Sequence, residues 1–342
     1  MYPNTYHSTE PFTLESGAQL PELTITYHTS APHYNGKKVL WICHALTANS
    51  DPTEWWEVMT GSGKCFDPKE YFIVCANILG SCYGSTGPLS LNPSTGAPYY
   101  DNFPVISVRD MVSAHNLLRE YLEIDKIDMV IGASVGGFQA LEYALCYPDV
   151  CTHLVLIATN ARVSPWGTAY NESQRIAILS DPTYHERQPN GGAQGLAAAR
   201  SIALLSYRSY EGYGLSQSEA NPDAFIAQRA ATYQQYQGEK LKRRFNAYSY
   251  MALTKTFDTH NVGRGRGGIE HALQSIRAKT LCIGITGDQL FPPHEVEYIA
   301  RHIPNAQYAS LHSNYGHDGF LLEWEAITEI ITAFKFVYLQ PN

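Results

Sequence analysis

Ser134 stands in Ile131-Gly132-Ala133-Ser134-Val135-Gly136-Gly137-Phe138, between the short apolar run 127–131 and the stretch 139–146, whose apolar spacing suits a helix. A sharp strand-to-helix turn brings the backbone at positions 132 and 136 too close together for larger side chains. The serine hydroxyl is then presented at the carboxyl end of the strand as a nucleophile. The helix that begins there aims its free amides and its positive dipole end at the same spot.

A serine hydroxyl is a poor nucleophile at neutral pH and needs a base, which in turn needs an orienting carboxylate. In a strand–turn–helix setting these partners follow in the order acid, then histidine, each beyond a later strand. Asp288 fits the first place, after the apolar run 280–285, and His317 fits the second, beyond the strand expected at 306–310. His312 is the competing base, but it falls at the end of that strand, where its side chain has less freedom to reach Ser134. Asp318 is badly placed to orient its own neighbour, which leaves it free for substrate. The oxyanion of a tetrahedral intermediate needs two preorganised amides. Val135 supplies one, and Leu46, in the loop His44-Ala45-Leu46 after the strand 38–43, is expected to supply the other.

The elements that must hold these residues alternate along the chain. Near-continuous apolar strands are expected at 38–43, 71–77, 127–131, 152–158 and 280–285, with a shorter one at 306–309. Helices are expected from Ser107, which can cap one, after Ser134, near 294–302 and over 319–337. Such alternation predicts a mostly parallel sheet with helices on both faces. The first 35 residues predict a hairpin of Phe12-Thr13-Leu14 with 23–27. Residues 79–104 form a Gly-, Ser- and Pro-rich loop too long for a simple connector. From Ser164 to about Gly268 the pattern is helical without a convincing strand, which predicts a helical lid inserted between a first core part, 1–163, and a second, 269–342.

With 342 residues, 44% hydrophobic and 16% charged, the composition is that of a globular protein, and the formal charge of −8 argues against nucleic-acid or membrane-surface binding. No run approaches the roughly 18 apolar residues of a membrane span. Residues 1–6 lack the basic and apolar regions of a leader. The seven cysteines include no C-x-x-C pair, which points to reduced thiols in a cytoplasm rather than disulfides or a zinc site. Lys240, Lys242, Arg243 and Arg244 read as a solvated helix face, although they could meet a nucleotide. Gly263-Arg264-Gly265-Arg266-Gly267-Gly268 follows no strand and reads as the exit from the lid.

Taken together, the chain resembles the homoserine O-acetyltransferase family of α/β-hydrolase-fold enzymes. The resemblance rests on His44-Ala45-Leu46-Thr47, Gly80-Ser81-Cys82-Tyr83-Gly84-Ser85-Thr86-Gly87-Pro88, Asn92-Pro93, Asp101-Asn102-Phe103-Pro104, Arg109-Asp110-Met111-Val112 and the segment around Ser134. It continues in Ala161-Arg162-Val163-Ser164-Pro165-Trp166, Asn171-Glu172-Ser173-Gln174-Arg175, Leu290-Phe291-Pro292-Pro293 and Gly316-His317-Asp318-Gly319-Phe320-Leu321. It implies an α/β-hydrolase fold and ping-pong transfer of an acetyl group from acetyl-CoA through Ser134 to the hydroxyl of L-homoserine, with no permanently bound cofactor and no metal. It further implies that Arg208 pairs with the amino-acid carboxylate and Asp318 with its ammonium, and that lid helices build a homodimer. Ala133 and Val135 replace the Gly and Met of many relatives, so succinyl-CoA as donor or L-serine as acceptor stays open, as does an ester or thioester hydrolase with the same triad.

Overall fold

The computed structural model describes residues 1–338; the end of the expected second core part, residues 339–342, lies outside them. Eight strands form one sheet: β1 (Tyr2–Ser8), β2 (Leu23–Thr29), β3 (Lys38–Cys43), β4 (Tyr71–Ala76), β5 (Ile127–Ala133), β6 (Cys151–Ile157), β7 (Lys279–Ile285) and β8 (Ala306–Leu311). Their order across the sheet is β1-β2-β4-β3-β5-β6-β7-β8. The β1–β2 and β2–β4 pairs are antiparallel and the other five are parallel.

The continuous apolar runs of the central strands follow from burial on both faces. Along β3, Val39, Trp41 and Cys43 enter one hydrophobic cluster while Leu40 and Ile42 enter another. Along β4, Phe72, Val74 and Ala76 join the first, and Tyr71, Ile73 and Cys75 the second. The first face is covered by α1 (Val108–Tyr121) and α2 (Val135–Cys146), through Met111, Val112, Leu118, Phe138 and Leu141. Residues 324–338 form a long helix over the second face, through Ile327, Ile331 and Phe334. Ser107 caps α1 as expected: its hydroxyl accepts from the Asp110 N–H, and the Asp110 carboxylate accepts from the Ser107 N–H.

Two expectations are corrected. The strand paired with β2 in the expected hairpin is not Phe12-Thr13-Leu14 but β1, which runs antiparallel to it over its whole length. Phe12–Thr13 pairs instead with Gln19–Leu20 in a separate two-stranded hairpin. The helix expected over 319–337 is broken at Glu323 into Gly319–Leu322 and Trp324–Tyr338.

Within residues 164–268 the chain forms five α-helices, α3 (Pro165–Leu179), α4 (Ala193–Tyr207), α5 (Tyr210–Gln217), α6 (Arg229–Lys242) and α7 (Ala247–Asp258), and a short sixth, Ile269–Gln274, leads into β7. A network of charges ties the returning chain to the core. Glu142, 1% exposed on α2, holds Arg109 at 3.3 Å and Arg266 at 2.8 Å, while Glu15 holds Arg109 and Arg264. A buried carboxylate is tolerable only because two guanidinium groups face it.

Three histidines are packed in neutral form, with burial the main cause: His44 is pushed down to about 4, and His115 and His260 to about 3. Their folded values lie below the 6.5 of a free imidazole, so as pH falls from 6.5 towards 4 the unfolded chain binds more protons than the folded one. Stability is therefore complete above that window and is lost as pH falls through it, at up to about 1.4 kcal/mol per pH unit for each histidine. Urea unfolding between about pH 7 and about pH 5 is expected to show a falling midpoint. A flat midpoint would contradict the burial of neutral imidazoles.

Candidate active site

Ser134 joins β5 to α2 with φ 58° and ψ −128°, a conformation that non-glycine residues seldom adopt. The glycines beside it are sterically required. A Cβ on Gly132 would lie 2.0 Å from the Gly136 carbonyl oxygen, and one on Gly136 would lie 2.2 Å from the Cys43 carbonyl oxygen. The turn is closed by the Ser134 N–H donating to the Ile157 carbonyl at 3.0 Å and the Thr159 hydroxyl donating to the Ser134 carbonyl at 2.9 Å.

His317 reaches this serine from a single 3-10 turn beyond β8. Its Nε2 lies 2.8 Å from Ser134 Oγ, and its Nδ1 lies 2.7 Å from Asp288 Oδ2. With the Nδ1–H donating to the carboxylate, Nε2 is left as the acceptor for the serine proton. The other oxygen of Asp288 accepts the N–H groups of Leu290 and Phe291 at 2.8 and 2.9 Å, so the carboxylate is clamped. Asp288 and His317 are 3% and 2% exposed, which shields the relay from water. His312, the competing base, instead meets the Thr286 hydroxyl at 3.0 Å.

The loop after β3 leaves one amide free beside the same site, where Leu46 borders the voids that Ser134 also lines. The Ala45 carbonyl accepts from His44 Nδ1–H at 2.9 Å and from the Ala48 N–H at 3.0 Å. Carbonyl and N–H of one trans peptide point in opposite directions, so the Leu46 N–H is turned away from both bonds. Among the described residues it has no acceptor. His44 Nε2 accepts from the Ile78 N–H at 3.2 Å, and Gln139 donates to the His44 carbonyl at 3.1 Å. His44 thus acts as a neutral brace for this loop. Val135 is the first residue of α2, where backbone N–H groups lack helical partners.

Two voids open onto Ser134. The larger, about 470 Å³, is lined by Thr47, Tyr83, Arg200, Tyr207, Lys240, Arg244, His317 and Asp318 among others. The smaller, about 40 Å³, is walled by Leu46, Val135, Phe138, Tyr207, Phe257 and Phe291 and is bordered by no charged side chain. The protein is acidic overall, yet three cations, Arg200, Lys240 and Arg244, face the larger void against Glu54 and Asp318.

Arg208, expected to pair with the amino-acid carboxylate, lies against Asp318, expected to take the ammonium. It is not among the residues lining either void, and its Nε lies 2.8 Å from Asp318 Oδ2, an ion pair whose N–H is not aimed along the contact. Burial raises the Asp318 carboxyl above its usual range, against the opposing pull of Arg208 and His317. Arg200 was not singled out from sequence, since an arginine in an Ala-rich helix reads as surface. The structure stacks it over the Tyr207 ring at 5.3 Å, with no ion pair among the described residues. Lys240 and Arg244, read as a solvated face, line the void. Lys242 does face outward, paired with Glu239 at 2.7 Å.

The arrangement can carry out acyl transfer: a serine with its base, a fixed carboxylate, a free amide for an oxyanion, a small apolar void and a larger charged one. Comparisons with known proteins agree. A family profile described as alpha/beta hydrolase fold matches residues 38–323. The homoserine O-acetyltransferase of Cyclobacterium marinum is 45% identical over 340 residues, covering 98% of this chain and 95% of its own. The crystal structure of homoserine O-acetyltransferase from Staphylococcus aureus superposes with a TM-score of 0.81 at 28% identity, covering 99% of this chain and 96% of its own. The esterase E22 shares the fold, with a TM-score of 0.84 at 22% identity, covering 96% of this chain and 99% of its own. No helix among the described residues is long and apolar enough to cross a membrane. On identity over nearly its full length, this chain is an enzyme of the homoserine O-acetyltransferase family, within the α/β-hydrolase fold.

Proposed function

We propose that the enzyme moves an acetyl group from acetyl-CoA to the side-chain hydroxyl of L-homoserine through an acyl-serine intermediate. Ser134 Oγ attacks the thioester carbonyl while His317 Nε2 takes its proton, and Asp288 holds the imidazole and steadies its charge. The Leu46 and Val135 amides receive the oxyanion. CoA leaves as the thiol, with the proton from His317. The acceptor hydroxyl then gives its proton to His317 and attacks the acyl carbon, and the ester departs as Ser134 recovers its proton.

The observation that carries this reading is the pairing of the Ser134–His317–Asp288 relay with a void that offers both a guanidinium and a carboxylate. A zwitterionic amino acid needs one fixed cation and one fixed anion. Asp318 is the anion. Arg200 is the better cation, because it faces the void without an ion pair among the described residues, whereas Arg208 is paired through Nε with one oxygen of Asp318. Arg208 then serves to hold Asp318 in place. Lys240, exposed and lining the larger void, is a cation that a CoA phosphate would meet. The small void accepts an acetyl methyl, while a succinyl carboxylate placed there would be buried without a counter-ion, which favours acetyl as the group transferred. The five-helix segment acts as the lid that keeps water from the acyl-enzyme. Apolar side chains exposed on it, including Leu215, Phe225, Ile226 and Tyr236, support a homodimer, to be read by sedimentation. Seven free thiols accord with a cytoplasmic enzyme.

The test is CoA release from acetyl-CoA and succinyl-CoA against homoserine, serine and no acceptor. Homoserine-dependent release from acetyl-CoA is expected. In the Arg200→Ala variant the acceptor KM is expected to rise about 10- to 100-fold, the loss of one charge-assisted bidentate contact, with acyl-enzyme formation unchanged. Release that ignores the amino acid would make this a thioesterase, and an unchanged KM would return the carboxylate to Arg208.

A further inference from the structure

The loop that carries Leu46 is braced from the core by His44 and Gln139, and from the opposite side by a residue of the five-helix segment. Just beyond the end of α6, the Arg244 guanidinium donates from Nη1 to the Thr47 carbonyl and, at 2.6 Å, to the Tyr83 hydroxyl oxygen. Its Nη2 lies 3.4 Å from Thr47 Oγ1. The Thr47 carbonyl shares a peptide with the Ala48 N–H, which donates to the Ala45 carbonyl, and that carbonyl shares a peptide with the Leu46 N–H. Two rigid peptides therefore link a cation to the free Leu46 amide. Each is held at its carbonyl and points its N–H onward.

We propose that Arg244 is a positioning residue for the oxyanion hole, acting through the Thr47–Ala48 and Ala45–Leu46 peptides on the Leu46 N–H. The guanidinium fixes the outer peptide plane, and its charge polarises both peptides in the direction that makes Leu46 a better donor. Because Arg244 belongs to the inserted helices and Thr47 to the core, the hole is complete only when the two are docked. This rests on Leu46 as an oxyanion donor but not on the identity of the acyl donor or acceptor.

The test uses p-nitrophenyl acetate, an ester without phosphates, in which Ser134 takes the acetyl group, p-nitrophenolate leaves and the serine proton passes to His317. In full-length Arg244→Ala the rate of acylation is expected to fall on the order of 10- to 100-fold with little change in KM. Fluorophosphonate labelling of Ser134 should slow in parallel, and added guanidinium ion should restore part of the rate. Arg243→Ala, at an exposed neighbouring position, should behave as wild type. If Arg244→Ala does not fold, Arg244→Met carries the test, because it keeps the length of the side chain and removes both its charge and its donors to Thr47 and Tyr83, and a several-fold slower acylation is expected. Wild-type acylation by p-nitrophenyl acetate in either folded variant, with a raised KM for acetyl-CoA, would make Arg244 a phosphate contact and overturn the proposal. A failure of the acetyl-CoA reading would leave this ester result untouched.

Discussion

Replacing Ser134 by alanine is expected to lower acyl transfer on the order of 10⁴- to 10⁶-fold and to leave the fold intact. The hydroxyl is hydrogen-bonded to His317 Nε2, and its loss removes the atom placed to receive the acyl group. The strained φ of 58° belongs to the turn, fixed by the close approach of Gly132 and Gly136, so alanine inherits it rather than relieving it. The thermal midpoint should therefore stay within the ordinary range of a surface-like substitution. Residual activity near that of wild type would mean that homoserine attacks the thioester directly, with Ser134 as a bystander.

A second large effect is expected from Asp288→Asn, for a reason visible in the clamp. Oδ1 of Asp288 accepts two N–H groups, from Leu290 and Phe291, and Oδ2 meets His317 Nδ1. An asparagine must leave its oxygen facing the two amides, since an NH₂ there would point donors at donors. Its NH₂ then faces Nδ1, which must accept, so the ring proton moves to Nε2. Nε2 can no longer take the proton of Ser134. The expected loss is about 10⁴-fold in both half-reactions, with unchanged substrate KM. Acylation and discharge at wild-type rates would show that the carboxylate is a structural turn residue and nothing more.

Much of this site was legible in the chain because each triad residue follows an apolar strand in the expected order. Gly132, Ser134 and Gly136 mark a turn that few other residues could form, and Asp288 and His317 end up within hydrogen-bonding reach as that order requires. What escaped was carried by contacts distant in sequence. Arg200 lies mid-helix in α4 and gains meaning only because that helix packs beside His317, with Tyr207 5.8 Å from the imidazole ring. The pairing of Arg208 with Asp318 joins residues far apart in the chain, and nothing local announces it. Arg244 looked like one of four solvated cations until the fold set it against Thr47, nearly two hundred residues earlier. The first strand was missed because Pro3, Asn4 and Thr5 give it the composition of a tail. As an edge strand it needs no buried face, and its pattern is mostly exposed or half-buried.

The proposed mechanism turns on a covalent acyl group on Ser134 that waits for an amino acid. Intact-protein mass spectrometry after mixing with acetyl-CoA alone tests it most directly. The protein is expected to gain the mass of one acetyl group, mapped to the peptide holding Ser134, and to lose it when L-homoserine is added, with O-acetylhomoserine formed in equal amount. Transfer that proceeds without the mass gain appearing at any time, in a protein whose Ser134→Ala variant remains active, would contradict the account.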